Sequence, residues 1–180
     1  MANVSRILNE YLPERSYPVK GSVGNIEVGD FVYWDTRFQG NTSQDTIRPA
    51  SAGSAGASAA DGRTQFSTLF VGVAKQRHDV NTFDKLNFAV SVDCEVEALI
   101  ANSTGAATAA TADIDPGTNV GIGVDSLFVP IDDVVTVSGM HSVTVADGEA
   151  IGKVSRQVKN GDRKVRFQIS GMHVFRQTGV

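Results

Sequence analysis

From residue 21 onward, apolar residues fall in short alternating runs that are separated by Gly, Asp, Asn and Pro. In "NIEVGDFVYWD", residues 25–35, Ile26, Val32 and Trp34 share one parity, as one face of a strand requires, and a Gly-Asp pair between them marks a turn. Runs this short, rich in Val, Ile and Phe, are typical of strands. We therefore predict an all-β fold, a compact β-sandwich or barrel-like domain, with no long helix after residue 20. The predicted strands lie near 26–28, 31–35, 68–76, 86–92, 94–100, 119–124, 127–130, 134–137, 141–146, 149–157, 163–169 and 172–176.

Three blocks of sequence recur in the same order, which predicts two similar β units packed into one domain. The matched blocks are Ile26-Glu27-Val28-Gly29 with Ile114-Asp115-Pro116-Gly117, "FVGVAKQR" (70–77) with "AIGKVSRQ" (150–157), and "KLNFAVS" (85–91) with "KVRFQIS" (164–170). We assign the first unit to residues 21–100 and the second to 110–176. The single tryptophan, Trp34, is expected to fill the junction of the two units, where its N–H can reach a carbonyl. The alternative is an exposed tryptophan that stacks on a ligand.

Two segments interrupt the rhythm of strands and turns. Residues 42–65 form an Ala/Ser/Gly tract inside the first unit, and 101–113 resemble it. These compositions offer almost no bulky apolar group for a core. Loops this long are usually functional or disordered. The insertion 42–65 is therefore either a flexible surface loop or a loop that becomes ordered against a neighbouring subunit.

Residues 1–20 are predicted to be an N-terminal arm. Apolar residues at helical spacing suggest a short helix, but Pro13 ends it after barely two turns, and Pro18 favours extended chain. The apolar side chains of the arm still need cover, so we expect them to contact a partner protein or another subunit while the β domain folds without them. These candidate contact residues are Ile7, Leu8, Tyr11, Leu12 and Tyr17.

Charge and composition limit the partners. The net charge of −4 argues against a surface that tracks nucleic acid, and the longest basic run, "RKVR" at 163–166, is interpreted as a solvated sheet face. Cys94 is the only cysteine and is expected to act as a small buried hydrophobe. The chain start has no apolar run of signal-peptide length, and no segment approaches 18 apolar residues, so we expect cytoplasmic synthesis and no membrane span.

Motifs for catalysis or metal binding are not apparent. The three histidines, His78, His141 and His173, lack metal-ligand spacing, and "DIDPGTN" (113–119) fits a Pro-Gly turn better than a calcium loop. "GEAIGKV" (148–154) departs from the phosphate-loop pattern. Ser138, His141 and Ser142 are close in sequence, but nothing nominates one of them as an activated nucleophile. We expect no enzyme activity, no cofactor, no metal and no small-molecule substrate.

Four stretches together resemble the small β-rich capsid decoration (cement) proteins of tailed bacteriophages. They are "EVGDFVYWD", "FVGVAKQR", "FAVSVDCEVEAL" and "EAIGKVSRQVKNGDRKVRFQIS". The resemblance covers roughly residues 24–35, 68–100 and 110–170. Residues 42–65 and the arm depart from the family pattern, so no capsid-contact residue is carried over.

The resemblance implies a structural virion protein on the outer capsid surface, bound to the major capsid protein. It also implies a homo-oligomer, and a trimer is our first expectation. Two other classes of function stay open from the residues alone. One is a β-sandwich binding module, for example a carbohydrate binder with exposed aromatic residues, and the other is a hydrolase whose site unites His141 or His173 with a carboxylate and a serine. Another phage head or tail accessory protein is a variant of the first class.

Overall fold

The computed structural model describes residues 5–20, 23–35 and 46–169. Within these residues the chain forms eleven strands, one α-helix and two short 3-10 turns, and the predicted all-β class is confirmed. The strands are β1 (Arg6–Glu10), β2 (Arg15–Val19), β3 (Phe31–Asp35), β4 (Thr46–Pro49), β5 (Phe70–Ala74), β6 (Lys85–Ser91), β7 (Cys94–Ile100), β8 (Asn119–Val124), β9 (Pro130–Val137), β10 (Ala150–Val154) and β11 (Lys164–Ile169). Helix α1 spans Ala59–Leu69, and the 3-10 turns span Ala50–Ala52 and Asp147–Glu149.

The strands form two units with the same topology. The first sheet has the order β2-β6-β5-β3-β4, and β4 returns to β2, where the Lys20 N–H donates to Thr46 Oγ1 at 3.1 Å. In the second sheet the order β7-β11-β10-β8-β9 repeats this arrangement, and the parallel pairing of β9 with β7 closes the ring. Each strand from β2 to β6 therefore has a counterpart from β7 to β11. The prediction of two similar β units is confirmed.

Matched backbone contacts support the equivalence of the units. In both units an isolated bridge pins the turn before the second strand to the hairpin that precedes the fifth strand. In both, a turn glycine donates its N–H to the last residue of the fourth strand. The matched pairs are Ile26–His78 with Ile114–Val158, and Gly29–Ala74 (2.9 Å) with Gly117–Val154 (2.8 Å). The predicted Pro-Gly turn at 113–119 is thus confirmed, with Gly117 at a φ of 89°.

The third sequence block is out of register by two residues. The sequence match aligns Phe88 with Phe167, but the cross-strand pairs Ala74–Val90 and Val154–Phe167 make Phe167 equivalent to Val90. The cause is the length of the preceding hairpin. Lys75 to Ala89, joined by a backbone hydrogen bond, spans 14 positions, and the equivalent Ser155 to Arg166 spans 11. The first hairpin is therefore three residues longer, and the shared Lys and Phe are coincidental.

The predicted unit boundaries also require correction. β7 lies within the residues assigned to the first unit (21–100), but it pairs with β11 and β9 and belongs to the second. The boundary lies at the bend 92–93, between β6 and β7. Period-2 patterning marks a strand but not its partner, so the sequence could not place this boundary.

The N-terminal segment is part of both sheets rather than a separate arm. β1 pairs with β7 in the second unit, and β2 pairs with β6 in the first. The expected short helix is replaced by strand, because pairing with an existing sheet edge supplies hydrogen bonds that two helical turns lack. Pro13 lies between the two strands, and Pro18 coincides with the register shift between Tyr17 and Val19, where its missing N–H is tolerated.

Residues 46–69 are folded, contrary to the prediction of a flexible insertion. They form β4, a 3-10 turn and α1, which begins after Ser58, whose Oγ accepts the Asp61 N–H at 3.2 Å. The helix packs on the second unit, where Arg63 pairs with Glu149 at 2.6 Å. The insertion therefore becomes ordered against its own chain. Residues 42–45 lie outside the described residues.

Several shorter predictions are corrected as well. Of the predicted strand 26–28, only Ile26 forms a bridge; the predicted strand 127–130 reduces to the start of β9; and 141–146 is not a strand. The predicted strand 172–176 lies outside the described residues.

In the second Ala-rich segment, 101–113, Ala101 bridges to Ala107, and the Asn102 side chain caps the turn between them by accepting the Thr104 and Ala106 N–H groups.

Aromatic residues other than the tryptophan fill the junction of the units. Phe31 and Phe70, on the outer face of the first unit, meet Phe167 from the interior of the second; Phe31 and Phe167 have ring centroids 6.2 Å apart. Trp34 points the other way. It is half-buried against the core of the first unit, with its ring 5.7 Å from that of Tyr17. The junction role predicted for Trp34 is therefore wrong, because β3 buries both of its faces and Trp34 lies on the face opposite Phe31.

Deleting residues 2–20 should destabilise the whole domain, because it removes β1 from one sheet and β2 from the other. Val19 alone is fully buried, which is worth about 1.5–3 kcal/mol. We expect loss of the cooperative thermal transition, or a drop of several kcal/mol in the free energy of unfolding, measured by circular dichroism. Val19→Ala should reproduce part of the loss, and the exposed Ser16→Ala should not. An unchanged melting temperature in the truncated protein would show that the segment is dispensable.

Gly152→Ala should cost about 1–3 kcal/mol of stability. A Cβ at Gly152 would lie 2.5 Å from the carbonyl oxygen of Gln168 on the neighbouring strand, so the strands must move apart. Gly148→Ala is the control, since nothing lies within 4 Å of the added Cβ. Denaturant unfolding of both variants measures the difference, and equal midpoints would contradict the close approach of the strands.

Candidate functional site

Equivalent hairpins of the two units carry opposite chemistry. The β5–β6 hairpin of the first unit exposes large apolar side chains, whereas the β10–β11 hairpin of the second exposes Lys and Arg. The backbones match, with positive φ at Asn81 in the first and Gly161 in the second. The difference therefore lies in the side chains and in the three additional residues of the first hairpin.

We call the first of these surfaces the apolar tip and define it as Val28, Val80, Phe83 and Leu86. Phe83 is 94% exposed and Leu86 is 78% exposed. The Val80 N–H donates to Asn25 Oδ1 at 2.8 Å, which holds the hairpin beside the turn that carries Val28. Arg77 bridges Asp79 at 2.8 Å and Glu27 at 3.6 Å, so charged groups surround the tip. The tip is held by its backbone but covered by none of the described residues.

The second surface is a pocket of about 590 Å³ beside the β10–β11 hairpin, which we call the basic pocket. Five cationic side chains and two carboxylates line it. The lining residues are Glu97, Arg156, Gln157, Val158, Lys159, Asp162, Arg163, Lys164 and Arg166. An excess of positive charge is concentrated here on a chain whose net charge is −4. The interpretation of "RKVR" as a solvated sheet face is therefore incomplete.

Glu97 organises one wall of the basic pocket. It is buried on β7 and receives Lys164 at 3.2 Å and Arg166 at 3.1 Å from β11, and Arg6 at 3.1 Å from β1. Burial acts to raise the pKa of Glu97, but the hydrogen bonds from Lys164 and Arg166 and the charge of Arg6 outweigh it, so the pKa lies below its usual value. One carboxylate thus fixes three cations and leaves a local excess of positive charge.

The remaining cations of the pocket differ in how strongly they are held. Lys159 Nζ lies 3.0 Å from Asp113, and Asp162 accepts the Lys159 N–H. The hydrogen bond from the Ser155 hydroxyl lowers the pKa of Glu95 below its usual value, and the charge of Arg156 adds a smaller effect in the same direction. Within the part of the chain that the structure describes, the Arg163 side chain has no hydrogen bond or ion pair. Arg156 and Arg163 are both exposed and accessible to a ligand.

The five predicted contact residues do not form one surface. Ile7 packs on the core of the second unit, and Tyr17 packs on Trp34 in the first. Leu8 is half-buried on β1. Tyr11 and Leu12, in the turn between β1 and β2, are exposed, and these two stay candidates for contact with a partner. Ile7, Leu8 and Tyr17 are covered, fully or in part, by other residues of the same chain.

The residues considered for catalysis show no arrangement that activates a nucleophile within the described part of the chain. Ser138 Oγ accepts the Val145 N–H and so has a structural role in its loop. His78 is buried in the first unit, and burial lowers its pKa. Cys94 is fully buried, as predicted, and burial raises the pKa of its thiol to about 11. Among residues 5–20, 23–35 and 46–169, no group of three or more His, Cys, Asp or Glu side chains is placed to hold a metal ion. His173 lies outside these ranges.

A buried carboxyl lies near the junction of the units. Asp30 is 5% exposed and accepts the Glu27 N–H at 2.6 Å. Burial, with smaller effects from the charges of Asp132 and Asp133, raises its pKa to about 7. Asp132 lies in β9, where burial also raises its pKa, and it accepts the Ser51 N–H. The Asp30 hydrogen bond closes the turn 27–30, and the Asp132 hydrogen bond ties the 3-10 turn Ala50–Ala52 to β9.

Asp30→Asn should make stability less dependent on pH between about 4 and 7. The folded protein holds the Asp30 proton up to about pH 7, whereas the unfolded side chain releases it near pH 3.8. Because the folded state binds this proton more tightly, Asp30 stabilises the fold at low pH, and this contribution is lost as the pH rises through 7. The variant should therefore gain stability relative to the parent between pH 4 and pH 8, measured by urea unfolding. Asp79→Asn, at an exposed position, controls for the loss of one charge, and parallel pH curves for parent and Asp30→Asn would contradict the shift.

No family model matches this chain, and no curated protein matches it. In the described part of the chain the longest helix, α1, has eleven residues, and no helix there is long and apolar enough to cross a bilayer. The two surfaces defined above are therefore the basis for functional argument. Sequence reasoning missed both. Their signals were the apolar residues at 80, 83 and 86 in a turn, and the cations at 156, 159 and 163 that precede "KVR".

Proposed function

We propose that this chain is a non-enzymatic structural virion protein that decorates and stabilises a tailed-phage capsid by binding the major capsid protein. The observation that carries the proposal is the apolar tip, with Phe83 94% exposed at the end of the first unit. The sequence resemblance to capsid decoration proteins names the partner. On this proposal the protein is made in the host cytoplasm and resides on the outer capsid surface.

The length of the first hairpin argues that the apolar tip serves binding. The equivalent hairpin of the second unit closes with three fewer residues, so the additional residues around Phe83 are not needed to connect the strands. Phe83 and Leu86 contribute nothing to the core because they are exposed. The same hairpin carries an exposed large aromatic side chain and the Arg77–Asp79 ion pair, a combination that fits an interface with an apolar centre and a polar rim.

The other classes of function have less support. A carbohydrate-binding module was expected to use exposed Trp34 or Tyr33, but Tyr33 is buried and Trp34 is half-covered by Tyr17. Trp34 and Tyr33 are therefore not placed as a carbohydrate-binding module was expected to place them. The hydrolase hypothesis requires His141 or His173 in a pocket with a carboxylate and a serine; His141 does not line the basic pocket, and His173 lies outside the described residues.

Replacing Phe83 by Ser should weaken binding to the capsid without affecting the fold. Burying a phenylalanine is worth about 1.5–3 kcal/mol, so we expect roughly a tenfold or larger loss of affinity. Co-sedimentation with assembled capsids of the phage that encodes the chain measures it, with the melting temperature as the check on folding. Leu127→Ser is the matched control, since Leu127 is 70% exposed on a turn of the second unit. Failure of the parent protein to co-sediment would overturn the proposal. Equal losses of capsid affinity in the two variants would show that the apolar tip is not the surface that binds the capsid.

Self-association is a separate part of the proposal. We expect a homo-oligomer, with a trimer first, and Tyr11 and Leu12 as candidates for the subunit contact because they remain exposed. Sedimentation at roughly tens of micromolar should give a mass above that of one chain, and Tyr11→Ser with Leu12→Ser should reduce it. A monomer at that concentration would contradict self-association while leaving capsid binding untouched.

A further inference from the structure

We propose that the basic pocket binds a small polyanion that carries at least two phosphate or sulfate groups. This inference is independent of the proposed capsid function. It depends on the charge of the pocket, its volume and the arrangement of its cations.

The charge of the pocket exceeds what the local ion pairs need. Five cationic residues face two carboxylates, Glu97 and Asp162. Arg6, which does not line the pocket, adds a further cation to Glu97. Lys159 pairs with Asp113, and Lys164 and Arg166 share Glu97, but Arg156 and Arg163 form no ion pair with the described residues. The unmatched positive charge therefore indicates an anionic ligand.

The geometry favours a ligand with more than one anionic group. A volume of about 590 Å³ lies within the range typical of small-molecule sites and is far larger than a single oxyanion requires. Lys164 and Arg166 are held on one wall by Glu97, so part of the site is arranged before a ligand binds. Arg163 and Arg156 present accessible guanidinium groups, which bind phosphate and sulfate oxygens in a bidentate manner.

The surroundings of the pocket argue against a long polyanion such as a nucleic acid strand. Carboxylates lie beside the pocket at several points: Asp113 pairs with Lys159, Asp115 accepts a hydrogen bond from the Gln157 side-chain amide, and Glu95 accepts one from the Ser155 hydroxyl. A strand that extended past the pocket would bring its phosphates close to these groups. Nucleic acid binders instead carry basic residues along a continuous surface. The observations therefore fit a ligand confined to the pocket.

The test uses the full-length protein and isothermal titration calorimetry at about 150 mM salt, where weak surface binding of anions is screened. The probes are inorganic tripolyphosphate and a trisulfated heparin-derived disaccharide, which separate phosphate from sulfate as the natural group. We expect saturable binding of at least one probe with one site per chain. The variant Arg156→Gln with Arg163→Gln should weaken that binding at least tenfold. Both residues are exposed, so the melting temperature should stay that of the parent.

The matched control is Lys153→Gln, which removes the exposed cation of β10 outside the pocket and should change the affinity less than twofold. Binding of neither probe, or equal affinity in the parent and the double variant, would overturn the proposal. Tighter binding of a 20-nucleotide single strand than of either probe would overturn the small-ligand assignment. Capsid co-sedimentation of the double variant should match the parent, so failure here is distinguishable from failure of the capsid proposal.

Discussion

The burial of both faces of β3 and β5 is the constraint on which the rest of the fold depends. Their inner faces contribute to the core of the first unit, and their outer faces carry Phe31, Tyr33 and Phe70 into the core that also fills the second unit. Exposing a strand that is buried on both faces would remove buried apolar surface from both cores. The two units are therefore joined through packing, and the N-terminal segment reinforces the joint by placing β1 in one sheet and β2 in the other.

Repetition of a five-strand unit gives the chain two equivalent hairpins, and these differ in the side chains that they expose. The positive φ at Asn81 and Gly161, and the bridge from each hairpin to the preceding turn, are retained. The hairpins differ in features that these contacts do not constrain. The β5–β6 hairpin has three additional residues and an exposed phenylalanine, whereas the β10–β11 hairpin exposes lysine and arginine. Side chains that do not pack can change without cost to the core, which is why both candidate surfaces lie there.

The electrostatics of the second unit follow from one buried carboxylate. Glu97 lies on the outer face of β7, between β1 and β11, and a charge at such a place requires partners. Arg6, Lys164 and Arg166 supply them from both neighbouring strands. The same contacts orient part of a pocket wall. Stability and a binding surface therefore have a common origin, and the N-terminal strand contributes to both.

The sequence by itself determined the all-β class, the two similar units, the burial of Cys94 and the Pro-Gly turn at Gly117, because alternation and turn chemistry are local properties. It did not determine that β7 belongs to the second unit, that residues 6–19 are strands, or that 59–69 is a helix, because strand partners and the cover for a weakly apolar helix come from distant residues. The predicted alignment of the third repeated block, 85–91 with 164–170, was wrong for a related reason, because the length of a hairpin decides which residues of its two strands face each other. The basic pocket required tertiary structure altogether: its cations come from a hairpin and a strand, and the carboxylate that orients Lys164 and Arg166 lies 67 and 69 positions earlier in the chain. Charges act through space, and only the folded chain sets the distances between them.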